Sequence, residues 1–98
     1  MKRQAHAKKR DANELEIVRA LEKIGATVER MDDPVDLLVG YRSKTYLIEV
    51  KAARGKLTGD QVDFIANWKG SPIYVVRDAE TAIDIVSREP EPPEVRQI

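Results

Sequence analysis

Apolar and polar positions divide the chain into seven blocks. From Leu15 the apolar residues recur at helical spacing. Leu15, Val18 and Leu21 form one line and Ile17, Ala20 and Ile24 the next, with Glu16, Arg19, Glu22 and Lys23 outside them. Asp11-Ala12-Asn13-Glu14 has the cap-x-x-Glu spacing of a helix start, and Gly25 predicts the stop. Thr27 to Met31 predicts a short strand, and Asp32-Asp33-Pro34 a turn. Val35 to Val39 is an apolar run interrupted by Asp36. Thr45 to Lys51 is rich in β-branched and aromatic residues. With Gly40, Arg42, Ser43 and Lys44 as the turn, the two runs predict a hairpin. A small basic loop, Ala52 to Leu57, leads into Thr58-Gly59-Asp60-Gln61, a second capping pattern. A helix is predicted through Val62, Phe64, Ile65 and Trp68, stopping near Gly70, with Phe64 and Trp68 as core residues. Ile73 to Arg77 reads as a buried strand. Asp78 then caps a helix, Ala79 to Val86, whose apolar face is Ala82, Ile83 and Val86.

This order is helix, three strands, helix, strand, helix. It predicts an α/β domain with a mixed four-stranded sheet flanked by helices. Residues 1–10 read as a basic arm, 11–86 as one domain, and 87–98 as an extended tail in which Pro90, Pro92 and Pro93 alternate with Glu89, Glu91 and Glu94.

The awkward residues carry the chemistry. An acid in one apolar strand, and an acid and a lysine at the end of the next, stand where apolar residues are expected. Residues two apart on a strand share a face, so Glu49 and Lys51 point together while Ile48 and Val50 point into the other layer. The hairpin places Val35 and Asp36 opposite Glu49. Two carboxylates and an amine gathered at one hairpin end suit a hard divalent cation, Mg²⁺ or Mn²⁺. The bland alternative is a surface ion pair between Glu49 and Lys51, contributing under about 1 kcal/mol; it leaves Asp36 unexplained. Asp33-Pro34 is an alternative register for the strand acid. Glu14 lies on the inner stripe of the first helix, one turn before the apolar residues. It either completes a capping box or supplies a third acid to the site. Gln61 likewise either caps Thr58 or faces the site.

Charge and composition add limits. Ninety-eight residues with a formal net charge of zero allow one domain and no strong overall field. The arm, with Lys8, Lys9 and Arg10, is basic enough to contact phosphates, or is simply a solvated terminus. There is no cysteine, which excludes disulfides and zinc–thiolate sites. The single His6 lies in the arm and is not expected to be a ligand or base. No apolar run approaches the roughly 20 residues that span a bilayer, and no apolar leader segment is visible. A reducing cytoplasm is the expected setting.

Asp36 followed by Glu49-Val50-Lys51, with Glu14 upstream, resembles the PD-(D/E)xK nuclease superfamily. A Gly-containing basic loop and Leu57-Thr58 before Gln61 narrow the resemblance to its VRR-NUC (virus-type replication-repair nuclease) domain family, related in fold to Holliday junction resolvases. It covers roughly Asp11 to Val86, and departs from the pattern in having Pro34-Val35-Asp36 rather than adjacent Pro-Asp. The resemblance implies a restriction-endonuclease-like core and Mg²⁺- or Mn²⁺-dependent cleavage of DNA phosphodiesters. It also implies structure selectivity for branched or junction DNA, a homodimer, and the cytoplasm of a bacterial, archaeal or phage-infected cell. Asp36, Glu49, the Val50 backbone carbonyl and Glu14 would hold the metal. Lys51 would orient or activate the attacking water, and Gln61 would position Lys51 or that water. Arg54, Lys56, Lys8, Lys9 and Arg10 would grip the DNA backbone. Three rivals stand beside this reading: a catalytically silent nucleic-acid-binding module, an RNA-directed nuclease, and a small α/β interaction domain such as a toxin–antitoxin partner.

Overall fold

The computed structural model describes residues 10–88; residues 1–9 of the basic arm, Lys8 and Lys9 among them, and the tail from residue 89 lie outside them. In chain order the elements are α1 (Glu14–Lys23), β1 (Thr27–Arg30), β2 (Leu37–Tyr41), β3 (Lys44–Val50), α2 (Gly59–Asn67), β4 (Ile73–Val76) and α3 (Ala79–Ser87). The four strands form one mixed sheet in the order β1-β2-β3-β4. β1, β2 and β3 are an antiparallel meander, and β4 lies parallel to β3 after the α2 crossover. The expected element order and the mixed four-stranded sheet are both present.

α1 ends as its sequence dictates. The amide of Ala26 donates to the Leu21 carbonyl and that of Gly25 to Glu22, the paired bonds of a Schellman close. Gly25 takes the required positive φ of 104°. One apolar stripe of α1, Ile17, Val18 and Leu21, packs with Ala82, Ile85 and Val86 of α3 over Leu37, Val39, Ile48, Val50 and Val76 of the sheet. α1 and α3 therefore cover the same face. Alternation along β3 sends Ile48 and Val50 into this core and Glu49 to the opposite face, where Gln61 of α2 meets it.

Several boundaries and burial expectations change. Leu15 is 41% exposed, because Glu14, Ile17, Val18 and Leu21 define the inward face and Leu15 lies outside it. β2 starts at Leu37, later than the apolar run, and Gly40 and Lys44 are paired strand residues. Only Arg42 and Ser43 make the turn, with φ of 53° and 68°. That left-handed pair gives the twist a two-residue hairpin needs. The Arg42 guanidinium stacks over Tyr41, 5.1 Å from the ring centre. α2 ends at Asn67 and buries no residue fully. Trp68, expected in the core, is 39% exposed. Its indole N–H donates to the Ser71 carbonyl at 2.8 Å, and Gly70 lies so close beneath the ring that a Cβ there would come within 2.8 Å of Nε1. The aromatic ring is thus tied to its own loop instead of entering the sheet. In α3 Ile85 replaces Ile83 among the buried residues.

Candidate functional site

Three charged side chains are buried among the described residues, and all are acids: Glu14 at 1%, Asp36 at 6% and Glu49 at 3% exposure. Buried charge is costly without partners, so each partner identifies what holds it there.

Asp36 precedes β2. Its carbonyl accepts the Met31 amide at 2.7 Å, extending the β1–β2 ladder. Its Oδ2 accepts the backbone N–H of Val50 at 2.8 Å. The acid is thereby fastened to the middle residue of Glu49-Val50-Lys51. Extending the β2–β3 register by one residue beyond Leu37↔Ile48 sets Asp36 opposite Glu49, the juxtaposition expected from the hairpin.

Glu49 is held from the other side. Gln61 uses both ends of its amide. Its Oε1 accepts the Thr58 amide at 2.9 Å while Thr58 Oγ1 accepts the Gln61 amide at 3.1 Å, which completes the capping box. Its Nε2 donates to Glu49 Oε2 at 2.7 Å. Both readings of Gln61 are realised in one side chain, but its partner in the site is Glu49, where Lys51 or a water was expected. A cavity of about 300 Å³ opens here, lined by Pro34, Val35, Glu49, Asp60, Gln61, Phe64 and Ile65.

Glu14 does not cap its helix. Asn13 is the N-cap residue and makes no side-chain cap bond. Glu14 Oε2 accepts from Arg10 Nη1 at 2.7 Å and Arg30 Nε at 3.0 Å, while the buried Oε1 has no hydrogen-bond partner. Arg10 also donates to the Met31 carbonyl at 2.9 Å and reaches Asp32 at 3.4 Å and Asp36 Oδ1 at 4.0 Å. Arg10, expected to grip DNA from the arm, is therefore folded over the acids, because a buried carboxylate needs a cation more than a solvated arginine needs a phosphate.

Lys51 follows β3, half-buried, on the same side as Glu49 by alternation. Arg54 and Lys56 are exposed on the loop that follows. Asn13, Arg30 and Arg77 were not anticipated. Asn13 Nδ2 donates to the carbonyls of Lys51 at 3.1 Å and Arg77 at 2.8 Å, tying the start of α1 to the ends of β3 and β4. Their partners lie 16 to 64 residues away in sequence, and no periodicity or motif marks such pairs.

Among the described residues no three His, Cys, Asp or Glu side chains form a ready cation cage. A hard divalent cation commonly takes one or two protein carboxylates and completes its shell with water. The opposed Asp36 and Glu49 supply that donor chemistry, and the unpartnered buried Oε1 of Glu14 is a further hard donor. The residues present fit such an ion through Asp36 and Glu49, with Glu14 already committed on one oxygen to two arginines.

Comparison with family models, with curated proteins and with solved structures gives no match. No described helix is long and apolar enough to cross a membrane.

Proposed function

We propose that the chain is a divalent-metal-dependent nuclease with a restriction-endonuclease-like core, hydrolysing DNA phosphodiester bonds. The observation that carries this reading is the set of three buried acids on three different segments, with Asp36 bonded to the backbone of the Glu49-Val50-Lys51 tract. A plain structural ion pair does not require acids at all three positions. The helix–meander–helix–strand order and the resemblance of Glu14, Asp36, Glu49, Lys51 and Gln61 to the VRR-NUC pattern support the same reading, as they do a preference for branched DNA and a homodimeric state.

In this mechanism Asp36 and Glu49, with the Val50 carbonyl, would hold Mg²⁺ or Mn²⁺. A bound ion would supply charge neutralisation at the scissile phosphate and a more acidic water. Gln61 fixes the rotamer of Glu49 through the 2.7 Å bond. Val50 N–H does the same for Asp36. Lys51 orients the attacking water and offsets charge developing on the phosphate. Glu14 orders Arg10 and Arg30 at the rim. Arg54 and Lys56 contact the DNA backbone without reading sequence.

The test is cleavage with Mg²⁺ or Mn²⁺ on supercoiled plasmid, four-way junction, flap, duplex and single-stranded DNA, with matched RNA alongside. Wild type should cut DNA, and Asp36→Asn and Lys51→Ala should each lose on the order of 10³-fold or more. A wild type that cuts nothing yet retards the junction in a gel moves the protein to the second reading, a binding module without chemistry. The observation favouring that reading is the double arginine pairing of Glu14. Preferential cutting of RNA would reassign the substrate.

A further inference from the structure

The loop between Lys51 and Thr58 has no regular structure, yet it is fastened at specific points. Gly55 N–H donates to the Ala52 carbonyl at 2.9 Å, closing a tight turn around Arg54. The Arg77 guanidinium, presented just past the end of β4, then grasps that turn from outside. Its Nη1 donates to the carbonyls of Ala52 and Gly55, both at 2.7 Å, and approaches that of Ala53 at 3.5 Å. Asn13 holds the carbonyls of Lys51 and of Arg77 itself. The segment from Lys51 to Gly55 is thereby referenced to β4 and α1, the frame that also carries Glu14. Nothing in the core needs this arrangement. The captured carbonyls are in an exposed loop, where water could satisfy them equally well. What the loop carries is Arg54 and Lys56, two exposed cations that follow directly on Glu49 and Lys51.

We propose that Arg77 is a positioning residue of a phosphate-contacting surface: by gripping the 52–55 turn it fixes Arg54 and Lys56 against the backbone of a bound nucleic acid. This rests on the reading above only in that the chain binds DNA. A mobile loop with two cations attracts phosphates weakly, because each contact must first order the loop. A loop fixed in advance keeps the full electrostatic gain, and each phosphate neutralised adds about 0.9 to the slope of log affinity against log salt.

Binding to a labelled four-way junction is read by anisotropy in EDTA, so that inability to cut does not count against the inference. Salt is varied between about 50 and 200 mM. The proteins are wild type, Arg77→Ala, the double variant Arg54→Ala/Lys56→Ala, and the triple variant. The double variant should lower the slope by about 2, with affinity falling roughly 10- to 100-fold. Arg77→Ala should lower affinity several-fold and the slope by about 1, and the triple variant should match the double, since Arg77 acts through the two cations. Thermal melts check folding; if Arg77→Ala melts early, Arg77→Met keeps the stem without the donors. Three results overturn the proposal: Arg77→Ala binding like wild type, a triple variant weaker than the double by a further unit of slope (Arg77 then touches phosphate itself), or a wild type with no affinity for DNA. The first two leave the nuclease reading standing, because cleavage is measured separately.

Discussion

Two helices of this chain are written with the same opening. Asp11-x-x-Glu14 and Thr58-x-x-Gln61 both have the spacing of a capping box, and only the second forms one. At α2 the side chains close on their own backbone, and Gln61 has a second donor left for Glu49. At α1 the same position is drawn away from its helix. Glu14 is buried at 1% exposure, beside two arginines that offer it charge-assisted bonds its own helix amides cannot match. Arg10 and Arg30 take it, and the cap residue Asn13 spends its amide on two distant carbonyls. A local pattern decides the outcome where the residue stays near solvent. Burial hands the decision to tertiary partners.

The most severe way to break the α1 arrangement is to remove both cations. Arg10→Ala/Arg30→Ala leaves Glu14 buried and uncompensated, and should lower unfolding free energy by about 3–5 kcal/mol in urea titrations. Each single variant leaves one partner and should cost clearly less than half of that. Equal losses from one single variant and the double would mean that one arginine alone holds the acid. Asn13→Asp follows in size. Aspartate is as good an N-cap residue as asparagine, so local logic predicts no change. Here it faces two carbonyl oxygens with an acceptor in place of a donor, and the expected loss is about 1–3 kcal/mol.

At α2 the two jobs of Gln61 can be separated. Thr58→Ala removes the cap and should cost about 1 kcal/mol. It leaves the Gln61–Glu49 bond, so Mn²⁺ affinity by calorimetry should stay near wild type. Gln61→Met removes the bond to Glu49 as well, and Mn²⁺ affinity should fall about 10- to 100-fold at similar stability. If Thr58→Ala weakens Mn²⁺ binding as much as Gln61→Met does, the helix start and not the amide positions Glu49.

The same contrast explains what could be read from the chain alone. Element order, the sheet, the Gly25 stop and the opposition of Asp36 to Glu49 follow from periodicity and hairpin register, which are short-range. The fate of Trp68 depended on a loop carbonyl at Ser71 and on Gly70 beneath the ring, and apolar spacing alone placed it in the core. Leu15 was misplaced because the buried face of α1 takes Val18 and Leu21 from one apolar line and Ile17 from the other, which leaves Leu15 outside it. In the site, the acids are legible because charge in an apolar run is anomalous. Arg30, which holds Glu14, and Asn13 and Arg77, which hold backbone carbonyls beside the site, are polar residues at element ends, where polar residues are ordinary. Their roles depend on chain crossings that no local pattern encodes.

The third helix start gives the comparison its simplest case, with a small effect. Asp78 is solvent-exposed, caps α3 by accepting the Thr81 amide at 2.8 Å, and has no distant partner competing for it among the described residues. That backbone bond, with a smaller contribution from the Thr81 side chain, lowers its pKa from 3.8, against a weak opposing effect of desolvation. A carboxylate whose folded pKa lies below its unfolded one stabilises the fold above the unfolded value, and that contribution disappears as pH falls through the folded value. Between pH 5 and pH 2.5, wild type should therefore lose more stability than Asp78→Asn, whose amide oxygen caps equally well at both values. Taking the difference between the two proteins cancels whatever pH dependence they share. A difference that stays constant across this range would show that charge plays no part in the cap, and that the hydrogen bond to the Thr81 amide starts α3 whatever the protonation of its acceptor.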